Sequence, residues 1–211
     1  MTDAFNFNNL GGGANLVRPF SWAEDSRLVS FFSRANYNWN NRIYVTGVVR
    51  YDGSSRFGAG NKWALFAALS ASWRRNEEEF MQSSPFSDLR LRAGYGLQGN
   101  EAVPPYASLL RLETNSGAAY GFGDVAVVGV APVSNRNPDL KWEETAQFNV
   151  AVDYGFSGNR FTGSVEYYVK NTKDLLLEVV VPQPAPAERR IENVGEIKNQ
   201  GVELTFDAEL L

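Results

Sequence analysis

The chain contains neither cysteine nor histidine. Disulfides, thiol nucleophiles, Ser-His-Asp triads and almost every zinc site are thereby excluded. The redox compartment stays open, because a cysteine-free chain is compatible with any of them. No stretch of about 18 consecutive apolar residues occurs, so no transmembrane helix is encoded. Charge of one sign is not in large excess either: the formal net charge is −4, spread along 211 residues. That balance argues against a nucleic-acid partner, which a basic surface would hold through its phosphates. The start, Met1-Thr2-Asp3-Ala4, has no basic segment followed by an apolar one, and so reads as lacking a signal peptide.

What the chain does have is aromatic residues, 14 Phe, 9 Tyr and 5 Trp. They are set in segments of about ten residues that alternate between apolar and polar. Across residues 161–170, Phe161, Gly163, Val165, Tyr167 and Val169 share one parity, and Thr162, Ser164, Glu166, Tyr168 and Lys170 the other. Side chains on a strand alternate faces, so this segment has one apolar face and one wet face. A strand of about 9–11 residues with that pattern can span an outer membrane as part of a β-barrel. The same alternation predicts strands over residues 27–37, 42–51, 62–73, 89–97, 142–154 and 202–210.

Between them, Trp39-Asn40-Asn41 reads as a tight turn, Glu77-Glu78-Glu79-Phe80 as a helical turn, and residues 98–140 and 171–197 as long loops. The first long loop is expected to hold short strands near residues 108–112 and 125–130. Residues 1–26, rich in Asn and Gly, read as a lead-in loop, and residues 27–211 as one all-β domain. Short and long connections come in turn, as in an up-and-down barrel with tight turns at one end. Arg90 and Arg92 fall on the inner parity of one strand, where they would be costly in a dry sandwich core and cheap against water. Tyr37, Trp39, Tyr51, Trp73, Trp142, Tyr154 and Phe156 gather near strand ends, as an interfacial girdle requires. The expected fold is therefore all-β: an antiparallel up-and-down transmembrane β-barrel, present as an incomplete portion of about seven to nine strands. A soluble or surface-exposed β-rich binding or structural module is the alternative. The barrel exposes Ile43, Val49, Val150, Val152, Val165 and Leu204 to lipid; a sandwich buries them against a second sheet.

Several stretches stand out: Tyr51-Asp52-Gly53-Ser54-Ser55-Arg56-Phe57-Gly58 followed by Asn61-Lys62-Trp63, Leu89-Arg90-Leu91-Arg92-Ala93-Gly94-Tyr95-Gly96 closed by Gly99-Asn100, and Asn137-Pro138-Asp139-Leu140-Lys141-Trp142-Glu143 with Thr145. Tyr167-Tyr168, Lys170, Asp174-Leu175-Leu176, Asn193-Val194-Gly195 and Asn199-Gln200-Gly201-Val202-Glu203 complete the series. In this order and spacing they resemble the SusC/RagA family of TonB-dependent outer-membrane transporters, over roughly residues 27–210. Full-length members carry an N-terminal signal, a TonB-contacting segment, a plug and a barrel of about 22 strands, so this chain is expected to be a fragment without plug or TonB box. Its end, Glu209-Leu210-Leu211, also lacks the terminal aromatic that such barrels present.

The resemblance implies energised uptake of large nutrients, oligosaccharides or peptides, across the outer membrane of a Gram-negative bacterium. It implies outer-membrane lipid, the TonB complex and a SusD-like lipoprotein lid as partners. Glycines 53, 58 and 60 read as turn formers, and Asp139 and Trp142 as residues that guide a loop back into a strand, with Trp142 at the membrane boundary. Substrate contact is assigned to loop residues with stacking rings or polar groups: Tyr106, Tyr120, Phe122, Asn135 and Arg136. Inner-face charges (Arg90, Arg92, Asp153, Glu166, Lys170, Glu203, Asp207) carry both signs, as a hydrated wall would. No cofactor is implied. Three consecutive acids at Glu77, Glu78 and Glu79 do not converge as metal ligands, and neither Glu143 with Glu144 nor Glu166 with Asp153 is marked as a catalytic pair, so the chain reads as non-enzymatic.

Overall fold

Aromatic and β-branched residues at alternate positions suit a pleated strand with one apolar side. A computed structural model, which describes residues 23–75, 78, 84–114, 120–123 and 125–209, has strands wherever that alternation is strong. In chain order they are β1 (Leu28–Trp39), β2 (Ile43–Ser54), β3 (Trp63–Arg74), β4 (Phe86–Asn100), β5 (Arg111–Thr114), β6 (Tyr120–Phe122) and β7 (Val125–Val127). There follow β8 (Val130–Ser134), β9 (Glu143–Phe156), β10 (Phe161–Lys173), β11 (Leu176–Val180), β12 (Arg189–Asn193) and β13 (Glu196–Ala208). No helix occurs among the described residues. Glu77, Glu79 and Phe80, part of the expected helical turn, lie outside them, as do residues 1–22.

The long strands make one antiparallel sheet in the order β1-β2-β3-β4-β9-β10-β13. Each long strand pairs with the next long strand in the chain, the up-and-down order expected. Short connections (residues 40–42 and 157–160) lie at one end; the loops after β2, β4 and β10 lie at the other. Those longer loops carry the ribbons β5–β8, β6–β7 and β11–β12. The last of these was expected to be irregular, because residues 171–197 lack a ten-residue alternation. Two five-residue strands suffice there, since each is held by the other and Leu176 and Ile191 pack against the buried cluster of the loops. β13 also starts earlier than expected, at Glu196 instead of residue 202. Its polar first turn of residues is carried by pairing with β10, Asn199 opposite Lys170 and Gly201 opposite Tyr168.

The register sorts side chains into two continuous faces. One row runs Val45, Ala71, Ala93, Val150, Tyr167, Val202 across six strands. The next runs Ile43, Trp73, Leu91, Val152, Val165, Leu204. No second sheet covers this face among the described residues: Leu204 is 73 % exposed and Phe206 67 %. An uncovered apolar face of this extent excludes the sandwich alternative and fits lipid.

Aromatic rings border the face in two belts. At the long-loop end Trp63 stacks on Tyr51 with centroids 4.9 Å apart and on Phe31 at 6.3 Å. Gly53 leaves room for this, because a Cβ there would lie 2.6 Å from the indole. At the tight-turn end Phe86 meets Phe156 at 4.6 Å, Tyr154 meets Phe156 at 5.6 Å and Phe161 meets Phe206 at 6.3 Å. Trp63 and Trp73, ten residues apart on β3, are separated by about 33 Å along the strand. At a barrel-like tilt of about 40° that corresponds to about 25 Å of apolar thickness, the height of an outer-membrane band. Among the described residues β1 and β13 are the edges of the sheet, so these strands form an arc of wall and not a closed barrel.

Candidate functional site

Most burial in the molecule lies beyond the lipid-facing sheet, where the long loops meet. Phe57, Phe66, Val103, Ala107, Leu140 and Trp142 form a core, with Ala64, Leu97, Leu176 and Ile191 packed against it. The polar parts of the same segments are used up on neighbouring backbone. Arg56 donates to the carbonyls of Glu101 at 3.1 Å and Val103 at 2.9 Å. The Gly58 N–H donates to the Leu140 carbonyl at 2.9 Å. A Cβ at Gly58 would fall 1.8 Å from the Pro138 carbonyl oxygen, so the two loops approach this closely only because Gly58 has none. Asn61 donates to the Asp139 carbonyl at 3.0 Å.

Trp142 corrects an expectation. It is 6 % exposed and turned away from the membrane boundary. Its ring packs between Phe57 (4.9 Å) and Phe66 (5.5 Å), and its Nε1–H donates to the Lys62 carbonyl at 3.0 Å. An indole buried this deeply needs an acceptor, and the Asn61-Lys62-Trp63 turn supplies it. Asn193 performs a similar task from the third loop. Its side chain donates to the carbonyls of Lys141 (2.8 Å) and Asp174 (3.0 Å) and accepts from the Lys141 N–H at 2.9 Å. Lys141 Nζ adds an ion pair to Asp174 at 2.8 Å. The Asp52 side chain, 2 % exposed, is held by Arg50 two residues away on the same face at 2.6 Å. Sequence motifs far apart in the chain thus meet in one knot. The roles of Arg56, Asn61 and Asn193 were not assigned from sequence, although each lies in a quoted motif. The available signal was a polar side chain at a loop-to-strand junction, where backbone groups lack ladder partners.

The residues expected to contact substrate all lie on or beyond this knot, and they divide by environment. Tyr106 is half exposed, at φ +63°, and its hydroxyl accepts from the Asp25 N–H at 2.9 Å. Tyr120, exposed, and Phe122 lie on β6, paired with Val127 and Val125; the Phe122 side chain is outside the described residues. Asn135 is buried, and its amide clasps Ala187 in both directions, donating at 2.5 Å and accepting at 3.1 Å. Arg136, beside it, is exposed and borders a hollow of about 380 Å³ with Leu110, Val181, Ala185, Pro186 and Arg190. Asn135 and Arg136 are therefore brought together at one hollow, whereas Tyr120 and Phe122 sit on a separate ribbon.

Replacing Asn135 by Ala strands a buried N–H and a buried C=O of Ala187. The expected cost is about 1–3 kcal/mol, read as faster protease nicking within residues 182–188. Arg136→Gln leaves that nicking rate unchanged.

The wet face of the sheet is organised by ion pairs. Arg92 donates to both Asp153 oxygens at 2.8 and 2.9 Å and lies 3.5 Å from Glu166, which also accepts from Asn149 at 3.0 Å. The inner placement of Arg90, Arg92, Asp153, Glu166, Lys170, Glu203 and Asp207 agrees with the register throughout. Glu143, far from these, bridges Asn100 at 3.0 Å and the Leu176 N–H at 3.2 Å. Glu78 pairs with Arg42 at 3.7 Å; Glu77 and Glu79 are outside the described residues.

Comparison with known proteins places this arrangement. The family described as TonB dependent receptor-like, beta-barrel, matches residues 2–211. TonB-dependent receptor SusC of Bacteroides thetaiotaomicron is 36 % identical over 200 residues, 93 % of this chain and 20 % of SusC. TonB-dependent receptor P39 of Formosa agariphila is 38 % identical over 204 residues, 96 % of this chain and 19 % of that receptor. Among solved structures, the RagAB peptide importer in its open-open state superposes with TM-score 0.76 at 34 % identity, over 86 % of this chain and 19 % of that one. The siderophore receptor PirA of Pseudomonas aeruginosa shares the fold at TM-score 0.54 and 15 % identity. The chain spans about a fifth of the length of the curated relatives it matches.

Proposed function

Because the chain belongs to the TonB-dependent receptor-like β-barrel family, a family of outer-membrane proteins of Gram-negative bacteria, we propose that it forms wall and outer loops of a SusC-type nutrient importer, with residues 27–211 as the barrel portion. The cargo is an oligosaccharide or a peptide too large for passive diffusion. Energy comes from the TonB complex through parts of the receptor beyond these residues, and a SusD-like lipoprotein covers the long-loop end. The work done is binding and gated passage, with no covalent step.

The single observation that carries this reading is the pairing of an apolar, lipid-fitting face with, among the described residues, a knot of hydrogen-bonded loops at the long-loop end. The apolar face holds the wall in the bilayer. The knot fixes the base of the outer loops, so that Tyr106, Tyr120, Phe122 and Arg136 are offered from a stable rim, with Asn135 shaping the loop that carries Arg136. Rings there stack on sugar faces or apolar side chains, and Arg136 takes hydroxyls or carboxylates. The test is uptake of fluorescent oligosaccharides and oligopeptides by cells carrying the intact receptor, with and without TonB. Uptake of one class that disappears without TonB is the expected result. Equal uptake in both strains, or none of either class, removes the transport reading.

A further inference from the structure

The hollow beside Arg136 has walls that are held together without a ligand. It lies between the base of the first long loop and the ribbon β11–β12, and these two segments are pinned to each other. Asn135 and Ala187 exchange hydrogen bonds, and the Asn135 N–H donates to the Arg189 carbonyl at 3.0 Å. Next to them the Asn137 side chain donates to the Ile191 carbonyl at 2.8 Å. The lining is of two kinds. Leu110, Val181, Ala185 and Pro186 present aliphatic carbon, and the charged residues among the lining are Arg136 and Arg190.

The two arginines are not equivalent. Arg190 is paired with Glu192, two residues along β12. Its neighbour Arg189 is paired with Glu178 across the ribbon at 3.0 Å. Arg136 is exposed, and among the described residues its guanidinium has neither an acid nor a carbonyl for a partner. An unopposed guanidinium bordering an aliphatic hollow selects a ligand that joins a carboxylate to an apolar group. The planar fork of the guanidinium matches a carboxylate through two parallel hydrogen bonds.

That requirement separates the two cargo classes. A sugar stacks its face on an aromatic ring, and among the described residues no aromatic one lines this hollow. A uronic acid does carry a carboxylate. Its hydroxyls, however, would press against Leu110, Val181, Ala185 and Pro186, where burial without a partner is costly. An acidic side chain inside a peptide brings the carboxylate without the apolar group. The last residue of a peptide, when its side chain is aliphatic, carries both on one carbon atom.

We infer that this hollow is a recognition subsite for the free C-terminus of a peptide cargo. Arg136 pairs with the terminal carboxylate, and Leu110, Val181, Ala185 and Pro186 receive an aliphatic last side chain. The inference rests on the importer reading and narrows its cargo to peptides.

Binding to the intact receptor in detergent tests it, read by fluorescence anisotropy. The probes are labelled peptides that end in leucine, as the free acid and as the C-terminal amide. The acid should bind at least about tenfold more tightly than the amide, the worth of a hydrogen-bonded charge pair. Arg136→Gln should abolish that preference, and Arg136→Lys should recover part of it, because an ammonium pairs as a point charge. Ala185→Leu, which fills the hollow, should weaken the leucine-ended acid several-fold and spare a glycine-ended one. The heat-dependent shift of an assembled barrel on gels shows that each variant is folded.

Equal affinity for acid and amide overturns the inference. So does an acid that wild type and Arg136→Gln bind alike, which places the carboxylate elsewhere. Tighter binding of an oligogalacturonate than of the peptide acid rejects it in favour of an acidic sugar. Loss of a co-purifying lid lipoprotein from Arg136→Gln rejects it in favour of a protein contact. If no peptide binds while TonB-dependent uptake of an oligosaccharide persists, the subsite fails and the importer reading stands. If that uptake is absent as well, both fall.

Discussion

Val150→Arg should destabilise the intact receptor in lipid by about 2–4 kcal/mol, the cost of arginine at mid-bilayer on the outside of a barrel. Val150 lies between Ala93 and Tyr167 in a row that is apolar from β2 to β13. On β9, Val150 lies four residues from Tyr154 of the tight-turn belt, about 10 Å deeper into the apolar band at the same tilt. A guanidinium there has no water within reach, and the acid of the same parity on β9, Glu144, is six residues away. The control sits three positions earlier on the same strand, where Gln147 has the opposite parity and is register partner to Gly96 and Lys170. Gln147→Glu, which places a charge on the wet face opposite Lys170, should therefore fall within about 0.5 kcal/mol of wild type. Urea titration of the receptor in lipid, followed by the heat-dependent gel shift, measures both. Equal costs for the two variants would mean that the apolar face is not the lipid face.

Trp142→Ala should cost about 3–5 kcal/mol, as for a large aromatic removed from a packed core. The substitution empties the space between Phe57 and Phe66 and removes one of the two donors to the Lys62 carbonyl, which keeps the Ser54 N–H. Its effect should stay local, because, of the six core residues, Phe57, Val103, Ala107, Leu140 and Trp142 lie on loops and Phe66 on a strand of the sheet. Limited proteolysis should therefore open residues 55–62 and 101–110 first, while the barrel keeps its gel shift. Trp142→Phe restores most of the packing and not the hydrogen bond, leaving a loss of about 1–2 kcal/mol. If Trp142→Ala leaves these loops as protease-resistant as before, the knot does not depend on the indole.

The wall was legible in the sequence because a half-lipid, half-water strand imposes a period of two on every residue. Val165 and Glu166 could be given opposite faces by counting alone, and the register agrees. Strand ends were less legible. β4 continues to Asn100 and β13 begins at Glu196, where pairing with a neighbour sustains a strand whose own residues no longer alternate. The knot was barely legible. Trp142 reads as a girdle residue on composition, and only the closeness of residues 57 and 66 turns it inward. Asn135 reads as a ligand-contacting amide, yet its amide is occupied by Ala187, 52 residues away. Contacts of that range leave no periodic trace, and the sequence can offer only residue types able to make them.

The first long loop leaves the knot at Ser108 and returns to it at Asn137, whose N–H donates to the Ser108 carbonyl at 3.1 Å. The knot thus closes the intervening segment at its base, much as a clasp closes a necklace. Once the ends of a loop are pinned, doubling its length adds only about 0.6 kcal/mol of closure entropy. Residues 110–133 can therefore be lengthened, shortened or exchanged as a cassette without disturbing the wall, while Asn135 keeps its hold on Ala187. The stretch can vary in sequence while the scaffold persists.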